Sequence, residues 1–424
     1  MVRALLPFLL SLLLVADHAL WAQPSVAVSQ PVVADSLPTA VADSLQSAHP
    51  FLNVEANHIE NATIGLQHFY QRLGALPNGR VRVVHIGDSH VQADEFSGRV
   101  RHELQRTYGN AGRGLVFPFR VARTNGSPSF RTALLAGRWQ ARRVLARPDT
   151  ALPVGVSGFV LATNDSEAAF TLRIPAQYLP GYGFNQLTLL RQPGPAAFDW
   201  QVRSGRGDWL GALLGAAPGG ALTLPLDSML DTVTLHTVRT TPGQTKALLF
   251  GLLLDNGRAG VVYHAIGVNG AAVRHYNRAP QFFEQLPVLE PDLLIVSLGT
   301  NDAYEPGFEP AVFQGQLDTL VSRLRRRCPQ ADVLLCGPAD SYRARRVSNP
   351  DLRRLSAVLR TYALAHDLAY WDFATVQGGD GSMGKWQATG LAQPDFIHFT
   401  TKGYELQGLL LYLALQDGFA AFPR

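Results

Sequence analysis

The chain has 424 residues, 46% of them hydrophobic, and its 37 Lys and Arg exceed its 33 Asp and Glu by only 4. This length supplies enough apolar material for a sizeable core and for two or three domains. The small positive excess is not clustered into a basic stripe, which argues against a nucleic-acid-binding protein, so no nucleic-acid partner is expected.

The first 22 residues have the features of a secretory signal peptide. Arg3 supplies a positive charge, residues 4–16 form a short apolar run, and Ala22 stands at the expected cleavage point. No later segment is apolar for long enough to cross a bilayer, and no cysteine follows the signal to accept a lipid. We therefore expect a periplasmic or secreted protein without a transmembrane segment.

Residues 23–50 are predicted to be a low-complexity linker. They are rich in Pro, Ser, Ala and Val, and the five residues 33–37 repeat with the same sequence at 41–45. Such small and polar residues bury too little apolar surface to form a core of their own.

A parallel sheet is predicted from residue 80 onward. Apolar runs that end in Gly occupy residues 81–86, 261–266, 293–298 and 333–336. Continuous apolarity indicates strands that are buried on both faces. Apolar residues at helical spacing follow at 96–104, 313–324 and 352–362. The alternation predicts a three-layer αβα domain with right-handed crossovers and strand order 2-1-3-4-5.

The sequence pattern differs between residues 115 and 256. There, short stretches in which apolar and polar residues alternate, such as 169–173, 186–189 and 233–236, are separated by Gly and Pro. This pattern predicts an inserted all-β domain, a sandwich. The αβα domain is then discontinuous, with residues 51–114 and 257–424. Within it, Cys328 and Cys336 flank a predicted strand and lie too far apart to form a disulfide, so both are predicted to be buried thiols.

Three motifs carry the candidate chemistry. Gly87-Asp88-Ser89-His90 follows the first strand, Gly299-Thr300-Asn301-Asp302 follows the third, and Asp395-Phe396-Ile397-His398 lies near the C-terminus. Ligands bind beyond the carboxyl ends of parallel strands, at the point where the strand order reverses. A serine hydroxyl needs a base to remove its proton, and the base needs a carboxylate to orient it. Ser89, His398 and Asp395 can supply these roles, although Asp88 and Ser89 alone are also typical helix-capping residues.

An oxyanion hole is the second expected part of the site. The side-chain amide of Asn301, the backbone N–H of Gly270 in the sequence 267–270, and the backbone N–H of Ser89 are the candidate donors. A plain turn explains Asn301 and Gly270 as well.

The substrate rim is assigned to three further residues. His90 is next to Ser89, and its position suggests a helix start or the substrate rim. Met383 and Trp386 belong either to the core or to a wall of the acyl or sugar pocket. The sequence contains no metal-binding, phosphate-binding or Gly-x-Ser-x-Gly motif, so no metal and no cofactor are expected.

The four residues Ser89, Gly270, Asn301 and His398 resemble the conserved set of the SGNH (GDSL-type) hydrolases, with Asp395 completing the triad. Segments 109–118, 267–271 and 378–386 are further similar to the Gram-negative peptidoglycan O-acetylesterases. That resemblance implies an SGNH domain with a carbohydrate-binding-module-like β-sandwich inserted after the first motif. It also implies an exported serine esterase that removes O-acetyl groups from peptidoglycan or a related acetylated polysaccharide through an acetyl-enzyme on Ser89.

Two other functions remain open from the sequence. The same triad could pass the acetyl group to a sugar hydroxyl, as in a polysaccharide O-acetyltransferase, with water access to the site deciding between the two. A glycan-binding protein with a degenerate esterase domain is the other, although the intact triad argues against it. Trp139, Trp200 and Trp209 in the insertion are candidates for positioning the glycan or for the sandwich core.

Overall fold

The computed structural model describes residues 39–179, 181–304 and 306–423. The predicted signal peptide and residues 23–38 of the predicted linker lie outside the described residues. Over the part of the chain that is described, no helix combines the length and the apolarity needed to cross a membrane.

The described strands number nineteen. They are β1 Ile59–Glu60, β2 Arg80–Gly87, β3 Gly114–Val116, β4 Arg131–Ala136, β5 Gln140–Arg143, β6 Phe159–Thr163, β7 Ala169–Arg173, β8 Phe184–Arg191, β9 Asp199–Ser204, β10 Trp209–Leu213, β11 Ala221–Leu230, β12 Thr232–Val238, β13 Ala247–Asp255, β14 Gly260–Gly267, β15 Leu293–Ser297, β16 Asp332–Cys336, β17 Tyr342–Arg343, β18 Val347–Ser348 and β19 Ala369–Trp371.

Helices alternate with the strands at both ends of the chain. They are α1 Thr39–Ala48, α2 Ala62–Gly65, α3 Gln67–Gly74, α4 Ser89–Gln92, α5 Phe96–Tyr108, α6 Val273–Asn277, α7 Pro280–Gln285, α8 Thr300–Tyr304, α9 Pro310–Arg327, α10 Pro350–Ala365, α11 Phe373–Gln377, α12 Ser382–Ala388 and α13 Thr401–Ala420. Single 3₁₀ turns occupy Val54–Ala56, Ala176–Tyr178 and Leu286–Leu289.

The central sheet has the strand order β1-β19-β16-β15-β2-β14. All neighbours in it are parallel except the edge strand β1, which is antiparallel to β19. Counted along the chain, the parallel strands follow the order 2-1-3-4-5, so the predicted topology is confirmed. The register pairs Gly87 with Gly267 of β14 and with Ser297 of β15, which brings the carboxyl ends of three strands to one edge.

The sheet separates two helical layers. Val81 and Val83 of β2 belong to the core cluster that contains α5 and α13, whereas Val84 and Ile86 belong to the cluster that contains α9 and α10. Alternate side chains of a strand point to opposite faces. Because both faces are covered by helices, the domain has the predicted three-layer αβα architecture.

Two antiparallel sheets form the segment between β2 and β14. One has the order β10-β9-β12-β7-β4, and the other has the order β11-β8-β13-β6-β5, with β3 also paired to β13. Buried residues of both sheets, including Phe170 and Leu189, share one core cluster. The predicted β-sandwich insertion is therefore present. Its first and last strands are hydrogen-bonded neighbours, with Leu115 opposite Leu253.

Part of the predicted linker is structured, which corrects the sequence interpretation. Thr39–Ala48 forms α1, and Leu45 within it is fully buried in the core cluster that contains α5 and α13. Val41 and Leu45 stand one helical turn apart, so this short segment buries an apolar edge against a core made by other elements. Cys328 and Cys336 are free and buried thiols, as predicted.

Candidate active site

A tight turn between β2 and α4 places Ser89 at the carboxyl edge of the sheet. A Cβ atom at Gly87 would lie 2.3 Å from Val91 Cγ2, so a larger residue would clash with the helix that follows. Asp88 is the N-cap of α4, and its Oδ1 accepts a hydrogen bond from the His90 N–H at 3.0 Å. The capping role expected for this motif therefore belongs to Asp88, which leaves the Ser89 hydroxyl available to other partners.

The hydroxyl of Ser89 lies within hydrogen-bond distance of the C-terminal motif that contains Asp395 and His398. Ser89 Oγ lies 2.9 Å from His398 Nε2, and His398 Nδ1 lies 2.7 Å from Asp395 Oδ2. The other carboxylate oxygen, Oδ1, accepts hydrogen bonds from the backbone N–H groups of Ile397 and His398, both at 2.9 Å. Partial burial opposes ionisation, but these hydrogen bonds hold the pKa of Asp395 below its usual value. The three side chains form the chain of contacts that a serine nucleophile, a base and an orienting carboxylate require.

Asn301, at the start of α8, lies beside the same turn. Its Nδ2 donates hydrogen bonds to Asp88 Oδ2 at 3.1 Å and to the Ala271 carbonyl at 2.9 Å. Burial raises the pKa of Asp88 to about 7, and the hydrogen bonds from His90 and Asn301 oppose that rise. Both N–H groups of Asn301 thus have acceptors, so an oxyanion would share one of these donors with Asp88 or Ala271.

Two backbone donors complete the candidate oxyanion hole. The N–H groups of Ser89 and Gly270 have no hydrogen-bond acceptor among the described residues. Gly270 has φ +77°, a conformation that favours glycine, and a Cβ there would lie 3.1 Å from Leu145 Cδ2. Leu145 belongs to the insertion, so the insertion contacts the loop that carries this donor.

A buried amide that the sequence interpretation did not identify holds this loop in place. Gln92 Oε1 accepts a hydrogen bond from the Asn269 N–H at 2.6 Å, and Gln92 Nε2 donates to the Asn125 carbonyl at 2.7 Å. Asn269 Nδ2 in turn donates to Asn125 Oδ1 at 2.7 Å. Gln92 lies three residues after Ser89, but no spacing rule links a helical glutamine to a loop more than a hundred residues away, so the sequence carried no signal for it.

His90 lies beneath the candidate base instead of forming an open rim. Its side chain is only 7% exposed, and its ring stacks on that of His398 with centroids 5.3 Å apart. His90 Nδ1 lies 3.1 Å from the Tyr404 hydroxyl. Burial, and then the nearby His398, lower the pKa of His90 to about 3, so this imidazole is neutral at physiological pH.

Met383 and Trp386 do not line the site opening. Both are fully buried, and the Trp386 indole N–H donates to the Gln377 carbonyl at 3.0 Å. The Trp386 ring packs against Phe399, with centroids 4.6 Å apart. Of the two alternatives, the structure favours the core, because the indole has both an apolar environment and a hydrogen-bond acceptor inside the domain.

No metal cage is associated with the triad. Among the described residues, no three His, Cys, Asp or Glu side chains are grouped so that they could hold a metal ion. The chemistry that the arrangement itself can perform is proton transfer from Ser89 to His398, with Asp395 stabilising the protonated imidazole.

Comparison with known proteins relates part of the sequence to a hydrolase family and the fold to a solved structure. Residues 227–406 match the model of the GDSL-like lipase/acylhydrolase family, a range that includes Gly270, Asn301, Asp395 and His398 but not Ser89. A search of curated proteins gives no match. The solved structure of a peptidoglycan O-acetylesterase aligns with a TM-score of 0.69 and 23% sequence identity, covering 88% of this chain and 98% of that protein. The fold of this chain is therefore similar to the fold of that esterase over most of both chains.

Two other solved structures align over less than half of this chain. A lipase/acylhydrolase from Enterococcus faecalis has a TM-score of 0.29 and 23% identity, covering 37% of this chain and 76% of that one. An acetylxylan esterase from Geobacillus stearothermophilus has a TM-score of 0.30 and 15% identity, covering 39% and 74%.

Proposed function

We propose that this chain is an exported serine esterase, and the match of residues 227–406 to the GDSL-like lipase/acylhydrolase family model supports this proposal. Its proposed substrates are O-acetyl groups on peptidoglycan or a related acetylated polysaccharide. The observation that carries the proposal is the contact chain from Ser89 Oγ to His398 Nε2 at 2.9 Å and from His398 Nδ1 to Asp395 at 2.7 Å. The similarity of fold to a peptidoglycan O-acetylesterase supports the choice of substrate class.

In the proposed reaction, Ser89 Oγ attacks the acetyl carbonyl carbon while His398 Nε2 takes the hydroxyl proton. The negative charge that develops on the carbonyl oxygen is stabilised by the N–H groups of Ser89 and Gly270 and by the Asn301 amide. Collapse of the tetrahedral intermediate breaks the bond to the sugar oxygen, which receives the proton from His398. Water then attacks the acetyl-enzyme with His398 as base, releasing acetate and restoring Ser89.

The openness of the site favours hydrolysis over acetyl transfer to a sugar. The side chains of His398 and Asp395 are 38% and 34% exposed, so water reaches the base directly. An acetyltransferase must keep water away from its acetyl-enzyme, and the described residues place no cover over these two side chains.

We further propose that residues 115–256 form a distinct inserted domain and that residues 51–114 and 257–424 form the catalytic domain. The pairing of β3 with β13 supports this division, because it closes the insertion on itself beside β14. The position of Leu145 beside Gly270 supports a role for the insertion at the substrate.

The test compares Ser89→Ala with the wild type on O-acetylated peptidoglycan and on 4-nitrophenyl acetate, by measuring acetate and nitrophenol. Ser89→Ala should abolish both activities without unfolding the protein, because it removes one half-buried hydroxyl. Ser322→Ala, which alters an exposed serine on α9, is the matched control and should retain full activity. Residual turnover of Ser89→Ala above a few per cent would refute the nucleophile assignment. Acetylated oligosaccharide formed in place of acetate would make the protein a transferase.

Asn301→Ala tests the oxyanion hole separately. Loss of one such donor lowers kcat by about 10²–10³ and leaves KM nearly unchanged, because the contact strengthens only in the transition state. A change confined to KM would make Asn301 a substrate-binding residue instead.

A further inference from the structure

A groove runs between the insertion and the catalytic domain, next to the candidate oxyanion loop. Its larger part has a volume of about 600 Å³ and is lined by the segment around Arg147 and by Lys246 of the insertion, and by Arg278 and Gln281 of the catalytic domain. A second cavity of about 510 Å³ shares Gln281 and Gln192 with the first and extends the groove. Each part is within the size range of sites that bind small ligands.

The position of this groove relates it to the reaction centre. Val144 and Ala146 line the larger cavity, whereas Leu145 between them lies against the position of Gly270. Arg278 follows α6, the helix that begins three residues after Gly270. A polymer whose acetyl group reached Ser89 past Gly270 would therefore have neighbouring units beside this groove.

The charges in the groove are not balanced within the protein. Asp149 forms an ion pair with Arg142, and Glu284 lies 3.9 Å from Arg327. Arg147, Lys246 and Arg278, all exposed, have no carboxylate within ion-pair distance in the described parts of the chain. Three cationic side chains therefore remain available to a ligand.

A fourth cation strengthens the positive potential at the far end. Arg191 lines the second cavity, is only 1% exposed, and forms no salt bridge with any described residue. Its Nη2 donates to the carbonyls of Leu214 and Ala217, while its Nε and Nη1 have no hydrogen-bond partner. Asp199 lies outside ion-pair distance but interacts electrostatically with Arg191 and offsets part of its charge, so Arg191 adds a partial positive potential at this end of the groove.

The described lining also lacks the side chains on which neutral sugars usually stack. No aromatic side chain is among the described residues that line the larger cavity, so an uncharged sugar ring finds no flat apolar face to stack on. The groups in the lining that could select a ligand are therefore its charged and amide side chains.

We propose that the groove binds an oligosaccharide that carries carboxylate groups, with Lys246 and Arg278 as the principal contacts from its two walls. The inference rests on the proposed function, since it assigns the groove to units of the same glycan that presents its acetyl group to Ser89. It identifies the substrate as an anionic polysaccharide, such as a glycan strand with free lactyl carboxylates.

The test is a calorimetric titration of the full chain carrying Ser89→Ala, which removes turnover. The first ligand is a tetrasaccharide of alternating N-acetylglucosamine and N-acetylmuramic acid, and the second is the neutral tetrasaccharide of N-acetylglucosamine. The carboxylated ligand should bind at least about tenfold more tightly at low ionic strength, and salt should reduce this preference. Equal affinity for the two ligands, or no binding of either, would overturn the proposal.

Variants identify the residues. Added to Ser89→Ala, the pair Lys246→Ala and Arg278→Ala should lower the affinity for the carboxylated tetrasaccharide about tenfold or more and leave that for the neutral one unchanged. Arg326→Ala removes an exposed arginine of α9 outside the groove and should change neither affinity. An equal loss in Arg326→Ala would indicate a general charge effect and refute the site.

The outcome separates the two proposals. If the wild type releases acetate from peptidoglycan but the two tetrasaccharides bind equally, the groove assignment fails and the esterase assignment stands. If the carboxylated tetrasaccharide binds as expected but no acetate is released from any acetylated glycan, the esterase assignment fails while the groove remains a glycan-binding site.

Discussion

Asp94→Asn should destabilise the protein strongly, because among the described residues Asp94 is the one carboxylate that contacts the two buried arginines Arg101 and Arg113. Its Oδ1 accepts hydrogen bonds from Arg101 at 3.0 Å and from Ser97 at 2.6 Å. Its Oδ2 accepts from Arg101 at 2.7 Å and from Arg113 and Ser127 at 2.6 Å. Both arginine side chains are only 2% exposed. An asparagine would turn an NH₂ group toward these donors and leave two guanidinium charges without a carboxylate.

Removing one partner of a buried ion pair costs about 3–5 kcal/mol, and Asp94→Asn should cost at least that much. Urea titration at pH 7, followed by tryptophan fluorescence and circular dichroism, gives the change in the free energy of unfolding. Glu290→Gln is the matched control, because the Glu290 side chain is 66% exposed and pairs with Arg82 at 3.0 Å, so its loss should cost about 0–1 kcal/mol. A cost below about 1 kcal/mol for Asp94→Asn would refute the reasoning.

The pH dependence of this stabilisation has a definite sign. Burial opposes the ionisation of Asp94, but Arg101 and Arg113 outweigh it and hold the pKa of Asp94 well below its usual value. The folded state therefore binds fewer protons than the unfolded state as the medium becomes acidic. The stabilisation should be complete above the unfolded aspartate value of about 4 and decline below it. The difference between wild type and Asp94→Asn should accordingly narrow in acid.

Three further predictions concern activity. Asp395→Asn should lower kcat by about 10⁴, since an amide can hold His398 in the wrong tautomer, and unchanged aryl acetate hydrolysis would show a catalytic dyad. Because burial lowers the pKa of His90 to about 3, this imidazole is already neutral at physiological pH, and His90→Leu should leave the pH profile of aryl acetate hydrolysis between about pH 5 and 8 unchanged. A profile that shifts in this variant would assign the titration to His90. Trp209 is 53% exposed, and Trp209→Ala should reduce acetate release from peptidoglycan several-fold while sparing aryl acetate hydrolysis. Trp200 is a core residue with 1% exposure, and Trp200→Ala should instead lower stability. Equal loss of both activities in a stable Trp209→Ala variant would contradict a role of Trp209 in positioning the glycan.

The topology of the central sheet could be predicted from the sequence because the strands of a parallel sheet are apolar on both faces. The run 81–86 followed by Gly87 predicts both a strand and the turn that presents Ser89, and the structure has β2 at Arg80–Gly87. The contact between Asp395 and His398 could be predicted for another reason, because the two residues are close in the sequence. The sequence could not predict the distance from His398 to Ser89, because the strand order and the placement of the C-terminal loop determine it.

Other features depend on contacts that no local pattern encodes. Arg101 and Arg113 are expected at the surface from their residue type, and only the fold brings them to one carboxylate. Trp386 at the end of a glycine-rich segment suits a pocket wall as well as a core, and only its surroundings decide between them. Leu45 was missed because its segment is too short and polar to form a core alone, although it packs on a core made elsewhere.

The pairing of β3 with β13 has a consequence for the order in which the protein folds. The strand β2, which precedes Ser89, has β14 and β15 as its neighbours, and both are synthesised after the whole insertion. Once the insertion has folded, its paired end strands hold Leu115 opposite Leu253, so the chain between β2 and β14 behaves as a short connection. Shortening this connection of about 170 residues to the roughly thirty that lie outside the folded insertion lowers the entropic cost of closing it by about 1.5 kcal/mol. The folded insertion should thus make the pairing of β2 with β14 in the central sheet less costly in entropy.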